Sequence, residues 1–275
     1  MNKYTYRTLI LEVFAILVAL LFLAPFYFVI NNSFKTFADI LIDPASLAVN
    51  PTLNNYTTAW EVINFPSAFF NSIVITVFSN IGLVLISSLA AYRLLRYPSK
   101  INGIIFGLFI AAMVIPFQSI MIPLVRVTSA LGFANSRLGL IFSYFGFGVS
   151  LPIFLYHGFI KSIPKSIEES AIVDGCSTYG VFGRIVAPLL KPMTATVLIL
   201  NTLWIWNDFL LPSLILHDKE LKTIPLAVSG FFAQYTKKWD LALAALVLAI
   251  LPIVIFFLSL QKFIIRGIVA GSVKG

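Results

Sequence analysis

The sequence predicts an all-α integral membrane protein with six transmembrane helices and both termini on one side of the bilayer. Three observations predict it. The 275 residues are 59% hydrophobic and only 11% charged, against about 25% charged for a typical soluble domain. The apolar residues gather in six long runs, each near the ~20 residues that a spanning helix needs. Lysine and arginine are unevenly divided among the loops between those runs.

The first run lies between Glu12 and Lys35, roughly Val13 to Ile30. Lys3 and Arg7 precede it, as in a signal peptide, but it is long for that. Phe26-Tyr27-Phe28 also follows Pro25 where a cleavage site needs small residues, so an uncleaved span is expected. The second run reads Phe69 to Tyr92, the third lies between Lys100 and Arg126, and the fourth between Arg137 and Lys161. The fifth follows Lys191 and reaches about Leu216, broken only by Asp208; the sixth lies between Asp240 and Lys262. The runs are continuous rather than alternating, which fits helices and not barrel strands. The reading is a single membrane domain over 1–275. It comprises a first span and outer loop (1–68), five further spans (69–267) with a polar loop at 161–191, and a tail (268–275).

Six crossings sort the loops into two sets. One holds the N-terminus, the loops 93–102 and 161–191, and the C-terminus, with twelve basic residues against four acids. The other holds seven of each. The first set carries the whole net charge of +8. The excess of Lys and Arg places it in the cytoplasm, so the basic balance signals topology and calls for no nucleic-acid partner. With one cysteine, Cys176, no internal disulfide is possible. The loop 31–68 carries Pro44, Pro51 and Pro66 and is long enough for an outer docking surface.

The loop Lys161 to Lys191 is too polar to span and well organised. Ser166 and Glu169 have capping-box spacing, predicting a short helix to Asp174. Gly175 suits the left-handed position that ends it. Ser177 or Thr178 then caps a second short helix carrying Tyr179, Phe182 and Ile185 to Pro188. Ile167, Ala171 and Phe182 are expected to give this helix–turn–helix an apolar surface. Glu169 and Gly175 either only cap and end a helix or form part of a knob that another protein grips.

The spacing of the whole loop resembles the EAA loop of permease subunits of ABC importers: Glu, a small residue, Ala, three residues, Gly, nine residues, Ile, one residue, an aliphatic residue, Pro. Here those positions are Glu169, Ser170, Ala171, Gly175, Ile185, Ala187 and Pro188, with Ser170 and Ala187 mild departures. The resemblance extends over nearly the whole chain and is to the carbohydrate-uptake branch, like the second permease subunit of the maltose importer. Asn71-Ser72, Ala90-Ala91-Tyr92, Ile115-Pro116-Phe117-Gln118, Trp206-Asn207-Asp208 and the tail Gln261 to Gly275 carry it. It implies a type I ABC importer permease fold with a cytoplasmic coupling helix, docked in a cleft of an ATPase, in a bacterial or archaeal plasma membrane. Glu168, Glu169, Ser170, Ala171, Asp174, Gly175, Phe182 and Pro188 would be the coupling residues. The partners implied are a homologous second permease, an ATPase dimer that binds ATP and Mg²⁺, and an extracytoplasmic sugar-binding protein. The C-terminal tail would approach the ATPase dimer.

The chain itself is expected to bind no cofactor and to be no enzyme. Gly175 to Gly180 fits the first part of a P-loop, but Val181 and Phe182 stand where Lys and Ser or Thr must contact phosphates and Mg²⁺. Within the spans, Thr194, Asn201, Trp204 and Asp208 fall on one helical stripe, with Asn207 beside it. They either line a translocation path or, for Trp204, Trp206 and Asp208, sit at the interface. Gln118, between Pro116 and Pro123, marks a broken helix beside the path or a packing kink. Gly139, Ser143, Gly146 and Ser150 read as a packing seam.

The leading reading is a non-catalytic translocation subunit of an ATP-driven oligosaccharide importer of the raffinose or multiple-sugar kind, working by alternating access. The same machine for a polyol or glycerol phosphate is the nearer alternative. An ion-coupled secondary carrier is the remoter one, because no internal repeat is visible.

Overall fold

The computed structural model describes residues 6–233 and 238–272, with side chains to 232 and over 238–259. Lys3, Lys237 and Lys274 lie outside the described residues, as do the side chains of Lys262 and Arg266. The described chain is helical: α1 Tyr6–Ser33, α2 Phe37–Ile42, α3 Asn54–Val62, α4 Phe65–Arg96, α5 Lys100–Ala112, α6 Phe117–Ala130, α7 Arg137–Gly148, α8 Ser150–Lys161, α9 Lys165–Val173, α10 Thr178–Gly180, a π turn Val181–Val186, α11 Ala187–Leu189, α12 Lys191–Asn207, α13 Leu210–Ile215, α14 Ile224–Ala233 and α15 Trp239–Ser272.

Among the described residues, three helical stretches are each long and apolar enough to cross a membrane: α1, α4 and Trp239–Ser259 of α15. Three more apolar stretches are bent pairs. α5 and α6 meet at 106°, α7 and α8 at 48°, and the segment Thr178–Leu189 meets α12 at 72°. The crossings number six if each bent pair is one span. The bends have local causes. Pro116 is extended (φ −62°, ψ 134°), cannot donate a helical hydrogen bond, and ends the run at Ala112. Pro152 falls in the first turn of α8, where its missing N–H costs no helical bond, so the break before Ser150 is a natural helix start. The expected fifth run stops at Asn207, where Asp208 is extended (φ −72°, ψ 127°) and its carboxylate accepts from the Leu210 and Leu211 N–H groups that open α13.

The chain divides into two compact units. The first holds residues up to Phe65 and Ala227–Pro252. There α1 is exposed along almost its whole length. Its C-terminal end anchors the following loop through Tyr27 to the Ala45 carbonyl and Asn31 to the Ser46 carbonyl. Lys35 is buried, and its ammonium donates to the carbonyls of Asp43 (2.9 Å) and Ser46 (2.5 Å). Asn55 ties α3 to the carbonyls of Ser33 and Lys35.

The second unit holds Pro66–Leu226 and residues from Ile253. Its described residues form two apolar clusters. One joins the first half of α4 to α7, α12 and α13 through Ile75, Leu83, Leu140, Tyr144, Ile205 and Leu211. The other joins the end of α4 to α8 and the 163–190 segment through Tyr92, Ile153, Tyr156, Ile160, Val181 and Leu190. Polar bonds lock the helices where they cross: Asn80 to Thr202 (3.1 Å), Tyr156 to Thr194 (2.9 Å) and Tyr144 to Asp208 (2.9 Å). The expected small-residue seam is only partly realised. Gly146 faces open space, and Gly139 abuts the Phe133 carbonyl of its own loop. Close approach occurs instead at Gly82, where a Cβ would run into the Phe145 ring, and at Gly148, 2.9 Å from Trp204 by the same construction. Position on a helical wheel gives the face of a residue but not what that face meets.

Candidate functional site: the loop 161–191

Pro164, extended at ψ 131°, starts α9 at Lys165. The expected capping box therefore does not form. Ser166 falls inside the first turn, too late to cap, and its carbonyl instead accepts from the Ser170 hydroxyl. The helix end is as expected. Gly175 has φ +84°, its N–H donates to the Ile172 carbonyl (3.0 Å), and the Cys176 N–H donates to the Ala171 carbonyl (2.9 Å). That pair of bonds is a Schellman closure, which needs the left-handed residue that glycine supplies. Ser177 then caps α10, its hydroxyl accepting from the Gly180 N–H.

A π turn, Val181–Val186, follows just before Pro188, which has no N–H to donate. The chain widens by one residue, and the Ala187 N–H donates to the Phe182 carbonyl. The π turn places Val181 and Val186 in the core and Arg184 outside. Pro188 lies exposed just after it.

The two adjacent glutamates have opposite fates. Glu169 is exposed, along with Ser170, Asp174 and Gly175. Glu168 is buried: Oε1 accepts from Arg96 Nε (2.7 Å) and pairs with Nη2 (2.6 Å), while Oε2 accepts from the Tyr92 hydroxyl (2.8 Å). The Arg96 guanidinium also donates to the carbonyls of Ile160 (3.2 Å) and Ile163 (2.9 Å). Opposite charge so close, with every oxygen engaged, is the arrangement in which a buried ion pair is tolerated. This network is invisible in the loop's own sequence, because its other half lies on α4.

The apolar surface also differs from expectation. Ala171 and Phe182 turn inward against the second cluster, with Phe182 at 5.2 Å from the Tyr92 ring. Ile167 stays partly exposed, and the apolar tip is made by Ile172, Val173 and Tyr179, the last two 86% and 89% exposed. The loop is thus a compact knob packed on the second cluster, with an apolar tip and a carboxylate, Glu169, at its side.

Of the residues expected to line a path, the structure brings Trp204 and Asp208 together against one side chain, Tyr144. Gln118 is exposed just past the 106° bend. Asn201 is buried, with an amide nitrogen that has no partner among the described residues. Trp204 is partly exposed and meets Tyr144 edge-on at 5.3 Å. Asn207 is exposed and donates to the Leu203 carbonyl. Asp208 accepts from Tyr144 and from the N–H groups of Leu210 and Leu211, so its first role is to turn the chain.

Residues 82–269 match the family described as the inner membrane component of binding-protein-dependent transport systems. The chain is 44% identical, over all of both chains, to the probable starch degradation products transport system permease protein of Thermoanaerobacterium thermosulfurigenes. It is 38% identical to the melibiose/raffinose/stachyose import permease protein of Bacillus subtilis strain 168, over 97% of this chain and 96% of that one. In fold it is similar to a chain of a crystal structure of a bacterial ABC transporter involved in the import of the acidic polysaccharide alginate. The TM-score is 0.80, with 95% of this chain and 99% of that one covered at 20% identity.

Proposed function

The chain belongs to the family of inner membrane components of binding-protein-dependent transport systems, and from that premise we propose that it is the permease subunit of an ATP-driven importer of oligosaccharides. It forms half of the translocation pathway, beside a homologous second permease. An ATPase dimer binds and hydrolyses ATP, and an extracytoplasmic protein selects the sugar. The charge asymmetry of the loops supports a cytoplasmic place for the termini and the knob 161–191, on the side where the ATPase works.

The observation that carries the reading is that knob. Its exposed face presents Glu169, Ile172, Val173 and Tyr179, while Phe182 and Ala171 seat it on the spans. A helix of nine residues is marginal alone, so its frame comes from that seating, and a push on the tip moves the spans. The exposed Glu169 then acts in docking, and Gly175 holds the turn that presents it. Sugar class follows the relatives at 44% and 38% identity, whose names give starch degradation products and melibiose, raffinose and stachyose as cargo.

The test is reconstitution in proteoliposomes, with raffinose and maltotriose as probes. The chain alone is expected to move neither. With its second permease, ATPase and binding protein it is expected to move at least one, at the expense of ATP. Uptake by the chain alone under an ion gradient would sink the reading. Glu169→Lys is expected to leave insertion intact and to separate ATP hydrolysis from uptake.

A further inference from the structure

Helix α4 is tied at both ends, and the tie beneath the knob is built of residues that the knob itself covers. One turn of α4 carries Tyr92 and Arg96, four residues apart and so on one face. Arg96 donates to Glu168 of α9 and to the Ile160 and Ile163 carbonyls at the end of α8. Tyr92 donates to the other Glu168 oxygen, and its ring meets Phe182 of the π turn. That one turn therefore holds three elements: the close of α8, the knob helix α9 and the π turn. At the opposite end, the Asn71 amide donates to the Glu220 and Lys222 carbonyls, Arg137 donates to Asn71, and Ser72 accepts from the Ile224 N–H.

A buried ion pair contributes little over apolar packing of the same shape, but it fixes direction and breaking it is costly. Apolar contact alone would let α9 slide or roll on α4. Arg96, with five donors in a fixed fork, permits one orientation only. We propose that Arg96, with Tyr92, is a positioning element that makes α9 and α4 a single moving body, so that displacement of the knob reaches the 217–224 segment at the far end of α4. This rests on the reading of the knob as the site of ATPase coupling. It adds residues outside the knob that act through Glu168 rather than through the partner.

The test uses the whole transporter in proteoliposomes, with Cys176→Ser and spin labels on cysteines placed at the exposed positions Leu89 and Lys165. The label distance is read without nucleotide and with Mg-ATP and vanadate. With the node intact, the distance is expected to hold within about 2 Å, as for a rigid body. Arg96→Met is expected to give a second distance with nucleotide and to lower sugar moved per ATP hydrolysed about fivefold, because Glu168 loses its charge partner. Tyr92→Phe removes one hydroxyl, keeps the packing against Phe182, and is expected to lower that ratio about twofold. Arg96→Lys, which keeps the charge, is expected to recover part of the loss. A mere shortage of folded protein lowers uptake and hydrolysis together and leaves the ratio unmoved, and Tyr92→Phe decides the case if Arg96→Met does not assemble. A label distance that shifts with nucleotide while the node is intact would overturn the proposal. So would variants that keep both the single distance and the full ratio. Failure to move either raffinose or maltotriose with the node intact would count against the sugar reading, and the distance measurement would still judge the node.

Discussion

The left-handed turn at Gly175 sets how firmly the knob is presented, and a graded series of substitutions measures it. Gly175 sits at φ +84°, and a Cβ built there would meet nothing within 4 Å. The cost of Gly175→Ala is therefore backbone strain alone, about 1–2 kcal/mol. Asn tolerates this region better and costs a fraction of that. Gly175→Pro forces φ to about −65° and removes the N–H that bonds to the Ile172 carbonyl, for about 3 kcal/mol or more. Each 1.4 kcal/mol is about tenfold in an equilibrium, so Ala is expected to open the Schellman closure about tenfold more often. The readouts are amide hydrogen exchange over 165–176 and sugar moved per ATP in the reconstituted transporter. Both are expected to worsen in the order Asn, Ala, Pro, with membrane insertion unchanged. Ala equal to or worse than Pro would refute the argument, since the way the added methyl group packs at the tip, and not backbone conformation, would then govern coupling.

Other outcomes follow from the same geometry. Glu168→Ala leaves Arg96 buried without its carboxylate and is expected to cost about 3–5 kcal/mol, read as a fall in the thermal unfolding temperature of the purified chain. Glu169→Ala, at an exposed position, is expected to stay within about 0.5 kcal/mol while still lowering the coupling ratio. Gly82→Ala drives a methyl into the Phe145 ring and is expected to cost about 1–3 kcal/mol; Phe145→Leu in the same chain should return much of that. Tyr144→Phe removes the donor to Asp208, which keeps the Leu210 and Leu211 N–H groups. A loss of about 1–3 kcal/mol in unfolding experiments is expected, and no loss would mean that the bond is not formed in the membrane.

What the sequence made legible is what lipid and backbone chemistry impose locally. Long charge-free runs follow from the cost of charge in hydrocarbon, and the described residues of all six are helical: three as single helices and two as bent pairs, with the fifth run forming α12 and α13 on either side of Asp208. The Gly175 closure, the Ser177 cap and the break near Pro116 are each decided by one or two neighbouring residues. The start of α9 was misplaced by two residues because Pro164, and not Ser166, sets it. Which of Glu168 and Glu169 turns inward could not be read from the loop, since Arg96 lies 72 residues away in sequence. The stripe of Gly139, Ser143, Gly146 and Ser150 showed which face is narrow, whereas the close approaches fell to Gly82 and Gly148. Of the stripe Thr194, Asn201, Trp204 and Asp208, the last two meet Tyr144 while Thr194 bonds Tyr156, and Asp208 leaves the wheel because α12 stops before it. Sequence periodicity assumes a straight helix, and these helices bend.

Helix α4 has 32 residues and no internal break, which at 1.5 Å per residue makes a rod about 48 Å long. A rod pivoted near its middle behaves as a rocker arm. A tilt of about 10° swings each end by about 4 Å, in opposite senses. One small rotation would thus close the passage at one surface as it opens the other, with no change in the internal packing of the rod. The stiffness of a single unbroken helix would then set the gearing between a few ångströms of motor stroke and the exchange of inward for outward access.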